Sequence, residues 1–282
     1  MLIRLDQAVL EATRKLKAAG VEGARQDAGV LMTHILKADR DILYREPEKI
    51  LTDSELSDFN ALIDRRVNRE PVAYLLGVRE FWSREFIVNQ HVLDPRPDTE
   101  TLIAEALVQM SDADKEYRVL DLGTGSGCLI LTLLAERPKA TGVAIDLSAD
   151  ALKVAERNAD KLGLSPRCDF ANGPWFAPVD GLFDIIVSNP PYIPKRDAPA
   201  LQPEVLDHEP HMALFAGEDG LDCYRDIISA APDYLVAGGW LCFEVGIHQA
   251  DDVKNMMQHR GFSELKITND LASIGRCVSG RF

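Results

Sequence analysis

Apolar residues in the first quarter of the chain recur at the spacing of a helix. They do so over residues 2–16 and again over 30–35, so each segment predicts an amphipathic helix with one buried face. Thr52 and Glu55, three positions apart, form a capping-box pattern at the start of a third segment. We therefore expect residues 1–70 to form a small helical bundle.

The pattern then changes to that of strands. Residues 78–93, VREFWSREFIVNQHVL, alternate aromatic and polar residues, which predicts a β-hairpin between two modules. From residue 117 onward, short apolar runs alternate with longer segments of helical periodicity: YRVLDLG, CLILTLLAER, TGVAID and ADALKVAERNADKL. Units that alternate in this way predict an α/β fold in which helices cover a parallel sheet.

Charge divides the chain much as the pattern does. The 282 residues carry a formal net charge of −14. Residues 1–84 hold 14 Lys/Arg and 14 Asp/Glu, whereas residues 85–282 hold 17 and 31. A neutral part followed by an acidic part supports two modules. The acidic total also argues against a general nucleic-acid-coating protein, though not against one local contact.

Cysteine usage and hydropathy argue against several other classes. The five cysteines are scattered, odd in number and without a C-x-x-C pair, so neither a disulfide framework nor a metal site is predicted. Charges recur every few positions in the first 20 residues, and no apolar run approaches the roughly 20 residues of a bilayer span. We expect a cytoplasmic protein without a membrane segment.

A glycine-rich turn follows the first strand of the α/β part. The sequence VLDLGTGSG places Gly123, Gly125 and Gly127 between a strand and a helix, where glycine lets the backbone approach a ligand. This motif alone is a weak signal, because dinucleotide sites begin similarly. The next strand ends in Asp146, nineteen residues beyond Gly127, where a carboxylate can accept hydrogen bonds from ribose hydroxyls. Together the two features predict a ligand site.

A second motif, VSNPPYIP, ends the fourth strand counted from VLDLG. Asn189 Oδ1 and the backbone carbonyl of Pro190 are two acceptors for a planar N–H donor, on which Tyr192 can stack. The prolines, Pro190 and Pro191, fix this turn before anything binds. A planar amide or aromatic amine is a poor nucleophile, so any attack by its nitrogen depends on how that nitrogen is positioned. A plain turn is the alternative interpretation.

These motifs resemble those of the class I S-adenosylmethionine-dependent methyltransferases. The resemblance implies a Rossmann-like, mostly parallel sheet of seven strands, with the glycine loop under the methionine end of the cofactor and the acid at the ribose. It implies S-adenosyl-L-methionine as cofactor and S-adenosyl-L-homocysteine as product. NPPY itself fits two target classes, namely amino groups of adenine or cytosine in nucleic acid and the side-chain amide of glutamine.

The segment EPVAYLLGVREFW…PRPDTETLIAEAL (70–107) narrows this choice. With DLGTGSG and NPPY it closely resembles the peptide chain release factor glutamine N5-methyltransferases, of the HemK or PrmC type, over nearly the whole chain. A sister group that methylates glutamine in a ribosomal protein differs where this chain has PRPDTE. The implied substrate is the glutamine of the Gly-Gly-Gln loop in bacterial class-one release factors.

The resemblance also implies roles for individual residues. The cofactor-binding set is Gly123, Thr124, Gly125, Ser126, Gly127, Asp146, Trp175 and Asn189, with Trp175 at the adenine. The catalytic set is Asn189, Pro190 and Tyr192, and the substrate-binding set adds Pro191. Pro174 departs from the family, which usually has an acidic or small polar residue there, so this position offers no carboxylate to the adenine. Arg96 and Glu244 are further candidates, either for the site or for structural ion pairs.

The expected organisation has three parts. Residues 1–77 form a helical substrate-docking domain, 78–97 a hairpin linker and 98–282 the cofactor-binding catalytic domain. The expected partner is a release factor, and we expect no stable nucleic-acid partner. The enzyme itself is expected to be a monomer. An N6-adenine methyltransferase acting on DNA or RNA is one alternative, and it would need a basic surface around a flipped base. A glutamine methyltransferase acting on a ribosomal protein is a second alternative. A binding module without catalysis is another, against which the intact motifs argue.

Overall fold

The chain, in a computed structural model that describes residues 2–282, divides into two compact units. The first unit consists of the chain up to Val78 together with residues 202–208, and the second consists of residues 79–201 and 209–282. The segment 202–208 is thus separated in sequence from the rest of its unit. The predicted order of a helical part, a hairpin and an α/β part is confirmed.

The first unit is helical, as its apolar periodicity predicts. Its helices before the hairpin are α1 Leu5–Ala18, α2 Ala24–Leu36, α3 Ile42–Arg45, α4 Asp53–Val67 and α5 Val72–Leu76. The capping box is present, because Thr52 Oγ1 accepts from the Glu55 N–H at 3.2 Å and the Glu55 carboxylate accepts from the Thr52 N–H at 2.7 Å. Leu5, Leu16 and Phe59 are buried in one core, whereas Leu2 is 78% exposed, so the first apolar stripe begins at Leu5.

The second unit contains the hairpin and the large sheet. Its elements are β1 Val78–Phe81, β2 Arg84–Ile87, α6 Glu100–Gln109, β3 Arg118–Leu122, α7 Cys128–Glu136, β4 Thr141–Asp146, α8 Ala149–Leu162, β5 Cys168–Asn172, β6 Phe183–Ser188, α10 Asp222–Ala230, β7 Leu235–Glu244, α11 Ala250–Arg260, β8 Ser263–Asn269 and β9 Gly275–Arg281. Helix α9, Pro203–His208, lies between β6 and α10 in the chain but belongs to the first unit. Short 3₁₀ turns lie at Pro97–Thr99, Ser165–Arg167, Lys195–Ala200, His211–Ala213 and Ala231–Tyr234.

The large sheet has seven strands in the order β5-β4-β3-β6-β7-β9-β8. The pairings from β5 to β7 are parallel, and β9 is antiparallel to both β7 and β8. The mostly parallel, Rossmann-like sheet is therefore confirmed. The chain builds β4 and β5 on one side of β3 and then crosses to β6 on the other side. Ligands in such sheets bind at the carboxyl ends of the strands, beside this reversal.

Both faces of the sheet are buried. One core contains Val119 and Ile185 with the apolar side of α7, and the other contains Leu120 and Ile186 with residues of α10 and α11. Strands covered on both faces are near-continuous apolar runs, which explains why VLDL and DIIV show no alternation. Within residues 2–282, no helix is both long and apolar enough to cross a membrane.

Candidate active site

A cavity of about 280 Å³ lies in the second unit at the carboxyl ends of β3, β4 and β6. We call it the site cavity. The predicted residues that line it are Gly123, Thr124, Gly125, Ser126, Asp146, Trp175, Asn189 and Pro191. The predicted residues Gly127, Pro190 and Tyr192 are not among the lining residues. Two motifs far apart in sequence therefore share one cavity.

The glycine loop, residues 123–127, needs glycine for two physical reasons. Gly123 and Gly125 have φ values of 75° and 57°, in the left-handed region that side chains rarely adopt. A Cβ on Gly127 would stand 2.9 Å from Leu131 Cδ1 and 3.2 Å from Ala155 Cβ. Gly127 thus allows close packing between α7 and α8. It contributes to the site through this packing and does not line the cavity itself.

Asp146 at the end of β4 is bound to the glycine loop. Its Oδ2 accepts from the Gly125 N–H at 2.8 Å and its Oδ1 accepts from the Ser148 N–H at 2.8 Å. Burial raises the pKa of Asp146, and the hydrogen bonds from the backbone act in the opposite direction. Each carboxylate oxygen retains further acceptor capacity, so Asp146 can bind hydroxyl donors from the cavity.

Asp121 lies directly beneath the glycine loop and is fully buried. Its Oδ2 accepts from Thr124 Oγ1 at 2.6 Å, whereas its Oδ1 has no hydrogen-bond partner among the described residues. Burial raises the pKa of Asp121 to about 7. A buried carboxylate with an open acceptor is a feature of sites that receive positive charge.

Trp175 lies against the glycine loop in a strained conformation. Its φ is 43°, which is uncommon for a bulky residue. Residues in such conformations are found mainly at functional sites. A Cβ on Gly123 would stand 3.8 Å from Trp175 Cζ3, so the ring covers this glycine. Asn172 holds the preceding turn, because its Nδ2 donates to the carbonyl of Asp146 at 2.9 Å. Pro174 also lines the cavity.

The NPPY turn, residues 189–192, is held on several sides. Ser188 Oγ donates to the Leu122 carbonyl at 2.7 Å, which joins the end of β6 to the end of β3. The Tyr192 carbonyl accepts from Gln249 Nε2 at 3.0 Å. Pro190 is buried, and the Tyr192 ring packs against the core, with its hydroxyl 3.5 Å from Glu244 Oε1. The turn is therefore rigid before any ligand binds.

Both residues singled out as ambiguous lie close to this turn. Arg96 lines the site cavity and pairs with the buried Glu209. Burial raises the pKa of Glu209 to about 7 against the opposing charge of Arg96. Glu244 is 2% exposed and, in the structure described over 2–282, makes no salt bridge. Arg96 is thus an ion-pair partner at the cavity, and Glu244 is a carboxylate without a cation partner.

Several residues of the site were not predicted from the sequence. Thr99 lines the cavity, is 3% exposed and has its Oγ1 3.5 Å from Asn189 Nδ2. Its position within the quoted segment PRPDTE was the available signal. Other lining residues that the motifs did not indicate are His91, Leu129, Leu147, Met212, Phe215 and Cys223. Leu129 lies on α7 and Cys223 on α10, whereas the others lie in connections, and the tertiary fold brings them all to the cavity.

The cavity suits a cationic nucleoside better than a polyanionic dinucleotide. Among the described residues, Asp146 is the carboxylate of its lining, and the lining residue Arg96 is paired with Glu209. Asp121 and Glu244 are further buried carboxylates of the same unit. Backbone approach is open at Gly123 and Gly125, and the Trp175 ring offers an apolar face. Such a set fits S-adenosyl-L-methionine, which combines a ribose, an adenine and positive charge. Among the described residues, no group of three His, Cys, Asp or Glu side chains has the arrangement of a metal site.

Sequence comparisons match two family profiles to the chain. Residues 7–77 match a family described as the PrmC N-terminal domain, and residues 98–208 match one described as the methyltransferase small domain. The two matches lie on either side of the hairpin. They follow the two-part organisation that charge and periodicity indicate.

Relatives align over almost the whole chain. A release factor glutamine methyltransferase of Rhodospirillum rubrum is 45% identical over 267 residues, covering 95% of this chain and 82% of the relative. One of Geobacter sulfurreducens is 44% identical over 275 residues, covering 97% and 95%. A solved methyltransferase from Pyrococcus furiosus has a TM-score of 0.52 at 16% identity, covering 80% of this chain and 98% of that one. The last likeness concerns the fold alone.

Proposed function

Because the chain belongs to the family of release factor glutamine methyltransferases, we propose that it methylates the side-chain amide nitrogen of the glutamine in the Gly-Gly-Gln motif of bacterial release factors. The methyl donor is S-adenosyl-L-methionine. The observation that carries this proposal is that Asn189 and Asp146 line the same cavity. A target amide held at Asn189 is thereby brought next to a cofactor held at Asp146 and the glycine loop.

The residues of this chain divide the task of holding the cofactor. Asp146 accepts hydrogen bonds from the ribose, and the glycine loop admits the methionine end because no Cβ blocks it. The Trp175 ring stacks on the adenine. Pro174 offers no carboxylate to the amino group of the adenine. When bound, S-adenosyl-L-methionine supplies an electrophilic methyl group on a sulfonium, and the demethylated product is S-adenosyl-L-homocysteine.

The NPPY turn positions the target nitrogen. Asn189 Oδ1 and the Pro190 carbonyl accept the two N–H bonds of the glutamine amide, which directs the nitrogen lone pair at the methyl group. Pro191 lines the cavity and fixes the turn, so little conformational freedom is lost on binding. Tyr192 completes this set by supporting the turn from the core side, where its ring is packed. Water or a nearby carboxylate receives the proton that the amide nitrogen releases.

Recognition of an intact release factor needs a surface beyond the cavity. A three-residue motif gives little to recognise, and protein interfaces of ordinary size bury about 800 Å² per partner. We assign this docking role to the first unit, which exposes Leu10 at 50% and Tyr44 at 79% beside one groove. We propose a cytoplasmic location, because translation factors act in the cytoplasm. We also propose a monomeric enzyme without a stable nucleic-acid partner, and the net charge of −14 supports the second part.

The deciding experiment uses cofactor labelled in its methyl group and a purified release factor whose glutamine is unmethylated. Mass analysis of the Gly-Gly-Gln peptide should show one added methyl group on the glutamine. A release factor with that glutamine changed to alanine is the control. No transfer to the glutamine, or transfer to another residue, would contradict the proposed function.

Docking is tested separately by the double variant Leu10→Ala, Tyr44→Ala. We expect kcat/KM for the intact factor to fall roughly tenfold, as for loss of buried aromatic contacts at an interface. The value for a short Gly-Gly-Gln peptide should not change. Equal losses on both substrates would remove the docking role.

A further inference from the structure

Glu244 stands beside the NPPY turn because of strand register. It is the last residue of β7, which pairs in parallel with β6 so that Ser188 is opposite Phe243. Carried one residue further, this register puts Glu244 next to Asn189. The Glu244 backbone is fixed as well, because its carbonyl accepts from Tyr224 Oη at 3.0 Å.

The Glu244 carboxylate is buried without a compensating cation. Its Oε1 is 3.5 Å from Tyr192 Oη, and its Oε2 has no hydrogen-bond partner within the described chain. The charge of Arg276 favours the ionised form of Glu244, but Arg276 makes its ion pairs with Asp98 and Asp270, each at 3.2 Å. A buried unpaired carboxylate lowers stability, so packing alone does not explain its presence.

Thr99 contacts the active-site amide. Its Oγ1 is 3.5 Å from Asn189 Nδ2, so the hydroxyl lies on the donor side of the asparagine amide. Burial raises the pKa of Glu244 to about 7, and polar interactions with Thr99 and Asn189 are among the influences that lower it. A hydroxyl can accept one hydrogen bond and donate another, whereas a carboxylate only accepts.

We propose that Glu244, acting through Thr99, is a positioning residue that fixes which end of the Asn189 amide faces the substrate. This inference rests on the proposed function. The two ends of an asparagine amide have nearly the same shape, and only neighbouring groups select between them. Thr99 donates to Glu244 and therefore accepts from Asn189 Nδ2. Asn189 Oδ1 is then left for the N–H of the target glutamine.

The same carboxylate also orients the tyrosine of the turn. Tyr192 Oη points at Glu244 Oε1, so the phenol donates and its ring is held by both packing and a hydrogen bond. One acceptor thus governs the two polar side chains of NPPY. Both contacts measure 3.5 Å, which is long for a hydrogen bond, and contacts of this kind shorten when substrate binds.

The test compares Thr99→Val, which keeps shape and removes the hydroxyl, with Thr99→Ser, which keeps the hydroxyl. Thr132→Val is the matched control, since Thr132 is a fully buried threonine of α7 outside the cavity lining. We measure kcat and KM for a Gly-Gly-Gln peptide, the cofactor Kd by calorimetry and the melting temperature. Thr99→Val should lower kcat by roughly tenfold to a hundredfold, as for a misplaced reacting group. KM and cofactor Kd should stay within about twofold, and Thr99→Ser should recover most of the lost kcat.

Glu244→Gln gives an independent result. Tyr192 donates to the amide oxygen of the new glutamine, which turns its NH₂ toward Thr99. Thr99 then accepts from that NH₂ and donates to Asn189, which favours the unproductive amide orientation. Loss of the buried charge should leave the melting temperature unchanged or higher while kcat falls. A purely structural residue would lose both together.

The outcomes separate the two proposals. If the unmodified enzyme transfers no methyl group to the peptide or to the intact factor, the proposed function fails. If it does, but Thr99→Val or Glu244→Gln keeps its kcat within about twofold, the positioning role alone fails. An equal loss in Thr99→Ser and Thr99→Val also overturns that role, because the hydroxyl is then not the important group. If Thr99→Val does not fold, Glu244→Gln decides.

Discussion

Buried charges are treated in opposite ways in the two units. In the first unit, Arg66 is 5% exposed and donates to Asp27 and Glu204, each at 2.8 Å. Arg69 donates to the other oxygen of Glu204 at 2.6 Å. Burial favours a raised pKa for Glu204, but the hydrogen bonds from Arg69 and Arg66 outweigh it and the pKa is lowered. This cluster attaches the segment 202–208 to the helices of its own unit.

The second unit leaves buried carboxylate oxygens without partners around its cavity. Asp121 Oδ1, Glu209 Oε2 and Glu244 Oε2 all lack hydrogen-bond partners among residues 2–282. Burial raises the pKa of each of these three groups to about 7. They cluster around the NPPY turn and the glycine loop.

The difference separates structural charge from functional charge. A cluster in which every charge has a partner of opposite sign holds a segment in place, and removing one member leaves others buried and unpaired. Carboxylates with open acceptors reduce stability and are expected where a ligand or a reacting group completes them. The following variants test this distinction.

The largest effect should come from breaking the paired cluster. Arg66→Met keeps the apolar stem but leaves Asp27 and one oxygen of Glu204 unpaired, and we expect a loss of about 3 kcal/mol in unfolding free energy. The adjacent Arg65 is an exposed partner of Glu70, so Arg65→Met should cost less than about 1 kcal/mol. Urea unfolding followed by circular dichroism measures both. Similar losses of unfolding free energy for the two variants would show that the buried cluster stabilises the fold no more than an exposed ion pair.

Asn189→Ala should give the next largest effect, on activity and not on stability. Loss of a positioning acceptor should lower turnover on the order of 100-fold. Cofactor affinity should change little, because the ribose and methionine ends are held elsewhere. Asn255→Ala, on the exposed side of α11, is the control. Near-normal methylation by Asn189→Ala would mean that Asn189 does not position the target nitrogen.

Asp146→Ala should weaken cofactor binding at least tenfold. It removes charge-assisted hydrogen bonds that contribute roughly 1.5–3 kcal/mol each at most. Asp150→Ala is the control, because Asp150 is an exposed partner of Lys153 close by in sequence. Calorimetry gives the affinities. An unchanged Kd in Asp146→Ala would remove that residue from the cofactor site.

Asp121→Asn should change neither a paired charge nor a group that contacts substrate, and its expected effect is a pH-dependent gain in stability. The Asp121 pKa is about 7 in the folded chain and about 3.9 when unfolded. Between these values the folded state holds the extra proton, so this group's contribution to unfolding free energy declines as pH rises through the window. Asparagine removes that decline. The cofactor-free variant should therefore be more stable than the original at pH 8 and lose this advantage towards pH 4. A stability difference that does not vary with pH would contradict the claim that burial raises the pKa of Asp121.

Short-range patterns in the sequence were sufficient to predict the fold class and to identify the glycine loop and the NPPY motif. Strand and helix periods identified β3, α7, β4 and α8, because each element buries a continuous stripe of its own residues. The glycine loop was readable because positive φ restricts the residue type at each turn position. NPPY was readable because two prolines and an amide fix a local shape. The roles of all these residues in binding and catalysis stay predictions.

Only the tertiary structure decided which distant residues meet. The pairing of β6 with β7 puts Glu244 beside Asn189, and the start of α6 brings Thr99 to the same amide. The ion pairs of Glu204 attach the segment 202–208 to the first unit, although the flanking chain belongs to the second. No local pattern encodes such contacts, because a lone Glu or Thr has the same propensity in either setting. Strand register and the burial of unpaired charge, which depend on the whole fold, give these residues their roles.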